Sequence, residues 1–476
     1  MTAPSIDLSS LLSSDRLFPD GEQTRTVARR LFESVRELPL LSPHGHTNAK
    51  WFAEDKPFPN PTELLIQPDH YIFRMLYSQG VSLEELGIPD SRGEAPEVDP
   101  REVWRIFAKH YFLFRGTPTR LWLDTSFSQL FGFEERLSAD NADAYYDTIA
   151  RKLEEPGFRP RALFEAFRIA VLSTTDSPLD SLEDHRAILA SGWNGRVLPT
   201  FRPDSVIDVA FAGFRGNIDR LGELTGEDIS TWQGYLNALR NRRAFFKENG
   251  ATATDHGHLT ARTVDLSAKE AEALYARIHS GRFSDEDAIL FQAQMLTEMA
   301  GMSLEDGLTM QLHPGSVRNH NTSLYERFGR DKGADIPSPT EYVRSLQPLL
   351  AKFGNDKRLT LILFTLDETT YSRELAPLAG HYPAVFLGPA WWFHDSPEGM
   401  MRFRERVTET AGFYNTVGFN DDTRAFLSIP ARHDVARRVD AAFLARLVAE
   451  HRLDEEEALE VMQALTDTLV RRAYKL

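Results

Sequence analysis

Two histidines separated by one residue, His44 and His46, close the apolar run at 40–46. Side chains two apart on a strand project to the same side, so both imidazoles can be aimed at one point, and His-x-His at a strand end is a metal-ligand pattern. The sequence Asn420-Asp421-Asp422-Thr423-Arg424 offers a carboxylate to complete the site, with one of the two aspartates serving a turn or helix cap. Two histidines and one aspartate leave open positions on a divalent ion, which is the arrangement of a catalytic site. The chain has no cysteine, so disulfides, thiolate metal sites and Cys nucleophiles are excluded. Any metal must be held by His and carboxylate.

Other apolar runs also end in ionisable groups. Asp255-His256-Gly257-His258 follow one, Gln311 and His313 follow another with Arg318-Asn319-His320-Asn321 close behind, and Arg202 ends a third. Taken singly, Asp255 or His313 is more often an ordinary hydrogen-bonded residue; grouped at strand ends with Arg202 and Arg318, they would surround a small polar ligand. Asp69 is placed to cap a helix on which His70 and Arg74, four apart and flanking Tyr71, share a face. Trp391-Trp392-Phe393 precede His394-Asp395, and one tryptophan of the pair, Trp391, offers an apolar face on which a sugar could stack.

These residues need a scaffold that gathers strand ends at one rim. Eight β-like runs recur, at 40–46, 171–175, 197–202, 251–256, 308–313, 359–366, 384–391 and 414–422, with helical patterns between them. Several are apolar throughout, as strands buried on both faces require, and LTLILFTL is the clearest. Eight strands alternating with helices predict an α/β fold, a (β/α)8 TIM barrel with its chemistry at the C-terminal strand ends. The long interval after the first strand predicts a large helical insertion. The expected organisation is an N-terminal helix and first strand at 1–46, the insertion at 47–170, the remaining barrel at 171–430, and extra C-terminal helices at 431–476. In the last of these, Asp454 to Glu457 open a helix that Arg471 and Arg472 close, matching the macrodipole.

Composition narrows the function. With 54 Lys and Arg against 70 Asp and Glu, the formal charge is −16 at pH 7, which speaks against a nucleic-acid-binding protein. The stretch MTAPSIDLSSLLSSDRLF lacks the features of a signal peptide, and no run nears the ~18 apolar residues of a membrane span, so a cytoplasmic location without membrane partners is expected. GxGxxG after a strand, GxxxxGK[ST] and GxSxG are all missing, which leaves dinucleotide, P-loop and serine-hydrolase readings without support.

The motifs together resemble the uronate isomerases, which act on glucuronate and galacturonate and form an outlying branch of the amidohydrolase superfamily. The resemblance spans nearly the whole chain: HGH at 44–46, DHYxxR at 69–74, TTDSP at 174–178, FRPD at 201–204, DHG at 255–257, QLHPGSVRNHNT at 311–322, GPAWWFHDSPEGM at 388–400 and DTRAFLS at 422–428. It implies that His44, His46 and Asp422 hold a divalent ion, usually zinc. It also implies that His70, Tyr71, Arg202 and Arg424 contact the sugar acid, so that Asp422, His70 and Tyr71 form the catalytic set. Two stretches depart from the family pattern, at 428–433 and in LDETTYS at 366–372.

Interconverting an aldose and a ketose moves a proton between C2 and C1 through an enediol, which calls for one base and a stabiliser of the developing oxyanion. An aspartate at the metal can be that base, and arginine's planar fork suits the uronate carboxylate. The alternative is a metal-dependent hydrolase of the amidohydrolase type, weakened because the predicted sixth strand ends Thr365-Leu366-Asp367 and brings no histidine. A non-catalytic sugar-acid-binding protein would keep the arginines but would not need the metal ligands. The expected partners are a small hexuronate and further copies of the chain, in a homo-oligomer for which a trimer is one form.

Overall fold

The computed structural model describes residues 11–476, so the reading of the first ten residues falls outside the described part of the chain. Nine short strands form among those residues: β1 (Leu40–Ser42), β2 (Ile169–Ser173), β3 (Val197–Leu198), β4 (Ala253–His256), β5 (Thr309–Leu312), β6 (Ser316–Val317), β7 (Ile336–Pro337), β8 (Leu361–Leu363) and β9 (Val385–Leu387). β1, β2 and β3 make one parallel sheet, and β4, β5, β8 and β9 make a second. β6 and β7 pair antiparallel outside both. The protein is therefore an α/β fold built on parallel sheets, as the near-continuously apolar runs predict.

Seven of the eight expected runs contain a strand, and the ladder often ends before the run does. β1 stops before Pro43 and β3 before Pro199, because proline has no N–H to give to a ladder. Beyond Pro199 the chain stays paired with Asp176, whose N–H donates to the Thr200 carbonyl at 3.0 Å and whose carbonyl accepts from Arg202 N–H at 2.9 Å; on its other side Phe201 N–H donates to the Ala253 carbonyl at 3.2 Å, and the Phe201 carbonyl accepts from Asp255 N–H at 2.9 Å. The eighth run, 414–422, forms no strand. It keeps a single bridge from Thr416 to Leu387 of β9, and just beyond it the Thr423 carbonyl accepts from His46 N–H at 3.0 Å. Gly418 at φ +79° and Asp422 at φ +39° interrupt its extended backbone. The segments freed from the ladders carry His44, His46, Arg202 and Asp422.

Between β1 and β2 the described chain is helical, from Ala49–Glu54 to Pro160–Ala166. The Pro/Asn punctuation does the local work: Asn60 accepts from Glu63 N–H and Pro61 occupies the first turn of Pro61–Leu65. These helices bury Phe52, Trp104, Phe107 and Phe127 in a core that also takes in Phe426 and Leu427. Phe52 meets Phe426 edge-on at 5.1 Å, tying the helical segment to the stretch just after Asp422. The helix Ile429–Ala449 follows, packs on Glu22–Val35, and is buried along most of its length.

At the C-terminus, Asp454 and Glu457 form a reciprocal capping box. The expected single helix is interrupted by a wider turn at Ala464–Thr468 before Leu469–Tyr474. Beyond that turn, Tyr474 reaches the sheet interior and donates to Gln311 Oε1 at 3.0 Å. Among the described residues no helix is long and apolar enough to cross a membrane.

Candidate active site

His44 and His46 lie past the end of β1, and Asp422 arrives from the other side with a left-handed backbone rarely adopted by non-glycine residues. The Nε2 atoms of His46 and His44 stand 3.1 and 3.4 Å from Asp422 Oδ1. Ligands about 2.1 Å from a tetrahedral ion are roughly 3.4 Å apart, so these contacts have the spacing that one ion would impose. Asp422 Oδ1 is buried without a hydrogen-bond donor, while the Trp391 indole N–H donates to Oδ2. A buried acceptor facing two imidazoles fits a divalent cation. Burial would raise the Asp422 carboxyl, yet the two imidazoles outweigh it and hold it well below the usual carboxylate range. Burial pushes both imidazoles down; His46 stays below its ordinary value, whereas Asp422 carries His44 above it.

If these three residues hold the ion, His44→Ala and His46→Ala should each lose bound metal and turnover together, because a three-ligand site has no ligand to spare. Elemental analysis alongside activity checks this, and full occupancy with full activity in either variant would contradict it.

A second His/carboxylate grouping shares His44 and adds Asp255 and His313. His313 Nδ1 lies 2.6 Å from Asp255 Oδ1, its ring stacks on His44 at a centroid distance of 4.7 Å, and its Nε2 is buried without a partner. The other Asp255 oxygen meets Arg202 Nη1 at 3.1 Å, and Arg202 Nε donates to Asp204 Oδ2 at 2.8 Å. Burial would raise the Asp255 carboxyl, but Arg202 and His313 hold it well below its usual range. Arg202 is thus fixed between two carboxylates.

The DHG motif supplies the space for that guanidinium. A Cβ at Gly257 would fall 2.2 Å from Arg202 Nη2. Gly257→Ala should therefore displace the guanidinium, raising KM about tenfold or more and lowering Tm as well, since the clash disturbs a guanidinium paired with two buried carboxylates. Steady-state kinetics and thermal melting separate these effects; an unchanged KM would mean that the position of Arg202 does not matter for binding.

The helical segment roofs the site. Asp69 accepts from Tyr71 N–H at 2.9 Å and so caps His70–Tyr77. His70 and Tyr71 line a cavity of about 1190 Å³ that also reaches His44, His46, Asp422 and Arg202. Burial and the nearby Arg424 lower the His70 imidazole to about 3, so it is neutral. Arg74 shares the helix but turns onto the Phe393 ring, 4.9 Å from its centroid. Trp392 packs against His70 at 5.2 Å, while Trp391 sets its ring edge against His313 at 4.6 Å and gives its N–H to Asp422. Arg424 pairs with Asp331 at 3.2 Å, and Arg318 with Asp335 at 2.7 Å.

The residues expected to hold the metal, catalyse or bind substrate thus border one cavity, whereas Arg74, His256, His258, Gln311, His320 and Asn321 do not line it, and the sequence pattern does not reveal the partners of those that do. Asp331 and Asp335 come from a loop without periodicity, and the structure pairs them with the arginines. Asp421, expected in a turn, is buried instead and receives His433 Nε2 at 3.0 Å from the helix Ile429–Ala449. Asp395 and Arg432, far apart in sequence, meet behind Tyr71; adjacency to the HGH-like motifs gives no sign of this.

Fold and site define an α/β protein with a His/His/Asp group that could hold a metal ion and several cations around one polar cavity. Residues 21–473 match the family model described as glucuronate isomerase. A uronate isomerase from Phenylobacterium zucineum is 63% identical over 465 residues, covering 98% of this chain and 97% of that one. The crystal structure of glucuronate isomerase from Caulobacter crescentus superposes with a TM-score of 0.96 at 61% identity, over 98% of this chain and 97% of that one. That of a Thermotoga maritima uronate isomerase gives 0.90 at 30% identity, over 97% and 99%. The chain belongs to the glucuronate isomerase family.

Proposed function

We propose that the protein is a uronate isomerase that interconverts D-glucuronate with D-fructuronate and D-galacturonate with D-tagaturonate by proton transfer between C2 and C1 through an enediol. The observation that carries this reading is the gathering of Asp422, Tyr71, His70 and several arginines around one cavity, in a chain so similar to uronate isomerases. Asp422 is ionised and takes the C2 proton. His70, neutral, and Tyr71 meet sugar hydroxyls from the roof. Arg202 and Arg424 face the carboxylate and the developing oxyanion, with His313, Arg318, Trp391 and Asp255 shaping the rest of the substrate site. His44, His46 and Asp422 would hold a divalent ion, zinc by its donor set, which when bound supplies a Lewis acid for a substrate oxygen.

The scaffold we propose for this site is a closed (β/α)8 barrel. The links Phe201–Ala253, Leu387–Thr416 and His46–Thr423 join the two sheets and the 414–422 segment into a ring. Leu41, Ala253, Ile362 and Val417, from distant parts of that ring, share one apolar cluster, which supports an enclosed interior. The units 1–46, 47–170, 171–430 and 431–476 follow from it. A cytoplasmic homo-oligomer, with a trimer as one form, belongs to the same reading through the family resemblance and is measurable by sedimentation.

The hydrolase alternative gains nothing, because the segment after β8 carries Thr365, Leu366 and Asp367 and no histidine. Incubation with D-glucuronate followed by carbon NMR tests the proposal: a new C2 carbonyl should appear with the six-carbon skeleton intact. An unchanged or cleaved sugar would overturn it.

A further inference from the structure

We infer that Lys332, on the loop at 329–335, is a specificity-determining residue: its ammonium joins Arg424 in receiving the uronate carboxylate, in the place that Asp331 holds. The inference rests on the isomerase reading above and deepens it. Five lysine and arginine side chains line the cavity, and four of them are engaged. Arg202, Arg318 and Arg424 pair with carboxylates, and Arg330 lies on the Phe211 ring, 4.0 Å from its centroid. The fifth is Lys332. Among the described residues its Nζ has no hydrogen-bond, ion-pair or ring partner.

The loop that carries Lys332 is tied down on both sides of it. Behind it, the Ala334 carbonyl accepts from His320 N–H at 2.9 Å, and Asp335 accepts from Asn319 N–H and from Arg318 Nη1, both at 2.7 Å. Gly333, at φ +71°, packs so closely on the roof helix that a Cβ there would fall 2.7 Å from Arg74 Cβ. Ahead of it, Asp331 is left-handed at φ +59°, a conformation that aspartate tolerates better than most residues, and its Oδ2 meets Arg424 Nη2 at 3.2 Å. The backbone is therefore held in place at the cavity, while the four-carbon stem of Lys332 leaves its charge free to follow a ligand.

Charge favours an anion at this spot. Acidic side chains such as Asp176, Asp180 and Asp208 also line the cavity, in a chain of formal charge −16, so a uronate needs local cations to enter. Burial lowers the Lys332 ammonium, Asp331 opposes that, and the Arg424 guanidinium lowers it further. The two cations thus repel one another, and a carboxylate shared between them relieves the repulsion. Asp331 supplies that carboxylate from an exposed loop, where an ion pair is weak enough for a bound uronate to replace it. A neutral sugar has no charge to offer in exchange. The two cations divide the work: Arg424 brings the fork that fits a carboxylate, and Lys332 adds a mobile point charge.

The test is steady-state kinetics on the full-length metal-loaded enzyme with D-glucuronate as probe. Lys332→Gln should raise KM about tenfold with kcat changed less than about twofold, because a charge is lost from binding and the reacting carbons are untouched. Lys332→Arg, which keeps the charge, should stay within about threefold of the wild-type KM. Asp331→Asn keeps a residue that tolerates the left-handed turn and removes the anion a uronate must displace, so it should lower KM about threefold. A wild-type KM in Lys332→Gln, a loss confined to kcat, a rise in Lys332→Arg as large as in Lys332→Gln, or a KM that Asp331→Asn does not lower would overturn the inference. Should Lys332→Gln fail to fold by circular dichroism, Asp331→Asn decides alone: a lowered KM would support the inference, and an unchanged or raised one would overturn it. A wild-type enzyme that fails to convert D-glucuronate would bring down the isomerase reading and this inference together. Wild-type turnover with an unaffected Lys332→Gln would bring down this inference only.

Discussion

Asp422→Asn is expected to abolish measurable turnover, with kcat falling by about 10³-fold or more. A general base alone contributes ~10²–10⁴, and the same carboxylate faces both imidazoles of the proposed metal site. Its neighbour is the internal control. Asp421 also borders the cavity but spends one oxygen on His433 at 3.0 Å, inside the protein. Asp421→Asn should therefore keep most of kcat and lose stability, by about 1–3 kcal/mol, because a buried charged hydrogen bond is weakened. Kinetics together with thermal unfolding separate the two. Equal losses of kcat in both variants would show that the wrong aspartate has been placed at the reacting carbons.

Neutral sugars should be rejected by about 10⁴ in kcat/KM relative to the uronates, since a site built around a polar contact leaves that group unpaired when the contact is missing. Arg202, Arg318 and Arg424 all border the cavity, and each has a carboxylate partner in the protein. Arg202 is held by two buried carboxylates, whereas among the described residues Arg424 pairs with Asp331, an exposed loop residue, at 3.2 Å. Arg424 is thus the cation that can exchange its partner for a substrate carboxylate at least cost. Arg424→Lys should weaken the discrimination, because a point charge replaces a bidentate fork. D-Glucuronate and D-galacturonate differ at C4, away from both ends of this scheme, and should turn over within a modest factor of each other. Similar kcat/KM for glucose and glucuronate would show that the arginines serve structure and that the substrate assignment is wrong.

What the chain reveals before it folds has a physical pattern. Apolar runs such as LTLILFTL announce strands because burial on both faces leaves no room for polar residues, and seven runs do contain strands. The eighth failed because Gly418 and Asp422 leave extended geometry, a property of backbone angles that hydropathy does not carry. His44 and His46 are legible because a spacing of two is local. Asp395 and Arg432 are not, since 37 residues separate them and only the packing of the helix Ile429–Ala449 against the Trp391–Asp395 segment brings them within 3.1 Å. Asp421 illustrates the limit of local rules. Its neighbours suggest a turn, but a buried histidine twelve residues on takes its side chain. Pairings of this kind depend on tertiary approach, and adjacent sequence holds no trace of them.

The most direct measurement is proton NMR of D-glucuronate with the enzyme in D₂O. The proposed chemistry predicts conversion to the ketose with deuterium from solvent, where exchange occurs, confined to C1 of the product and C2 of recovered substrate. Cleavage of the sugar, binding without conversion, or deuterium at any other carbon would contradict proton transfer between C2 and C1.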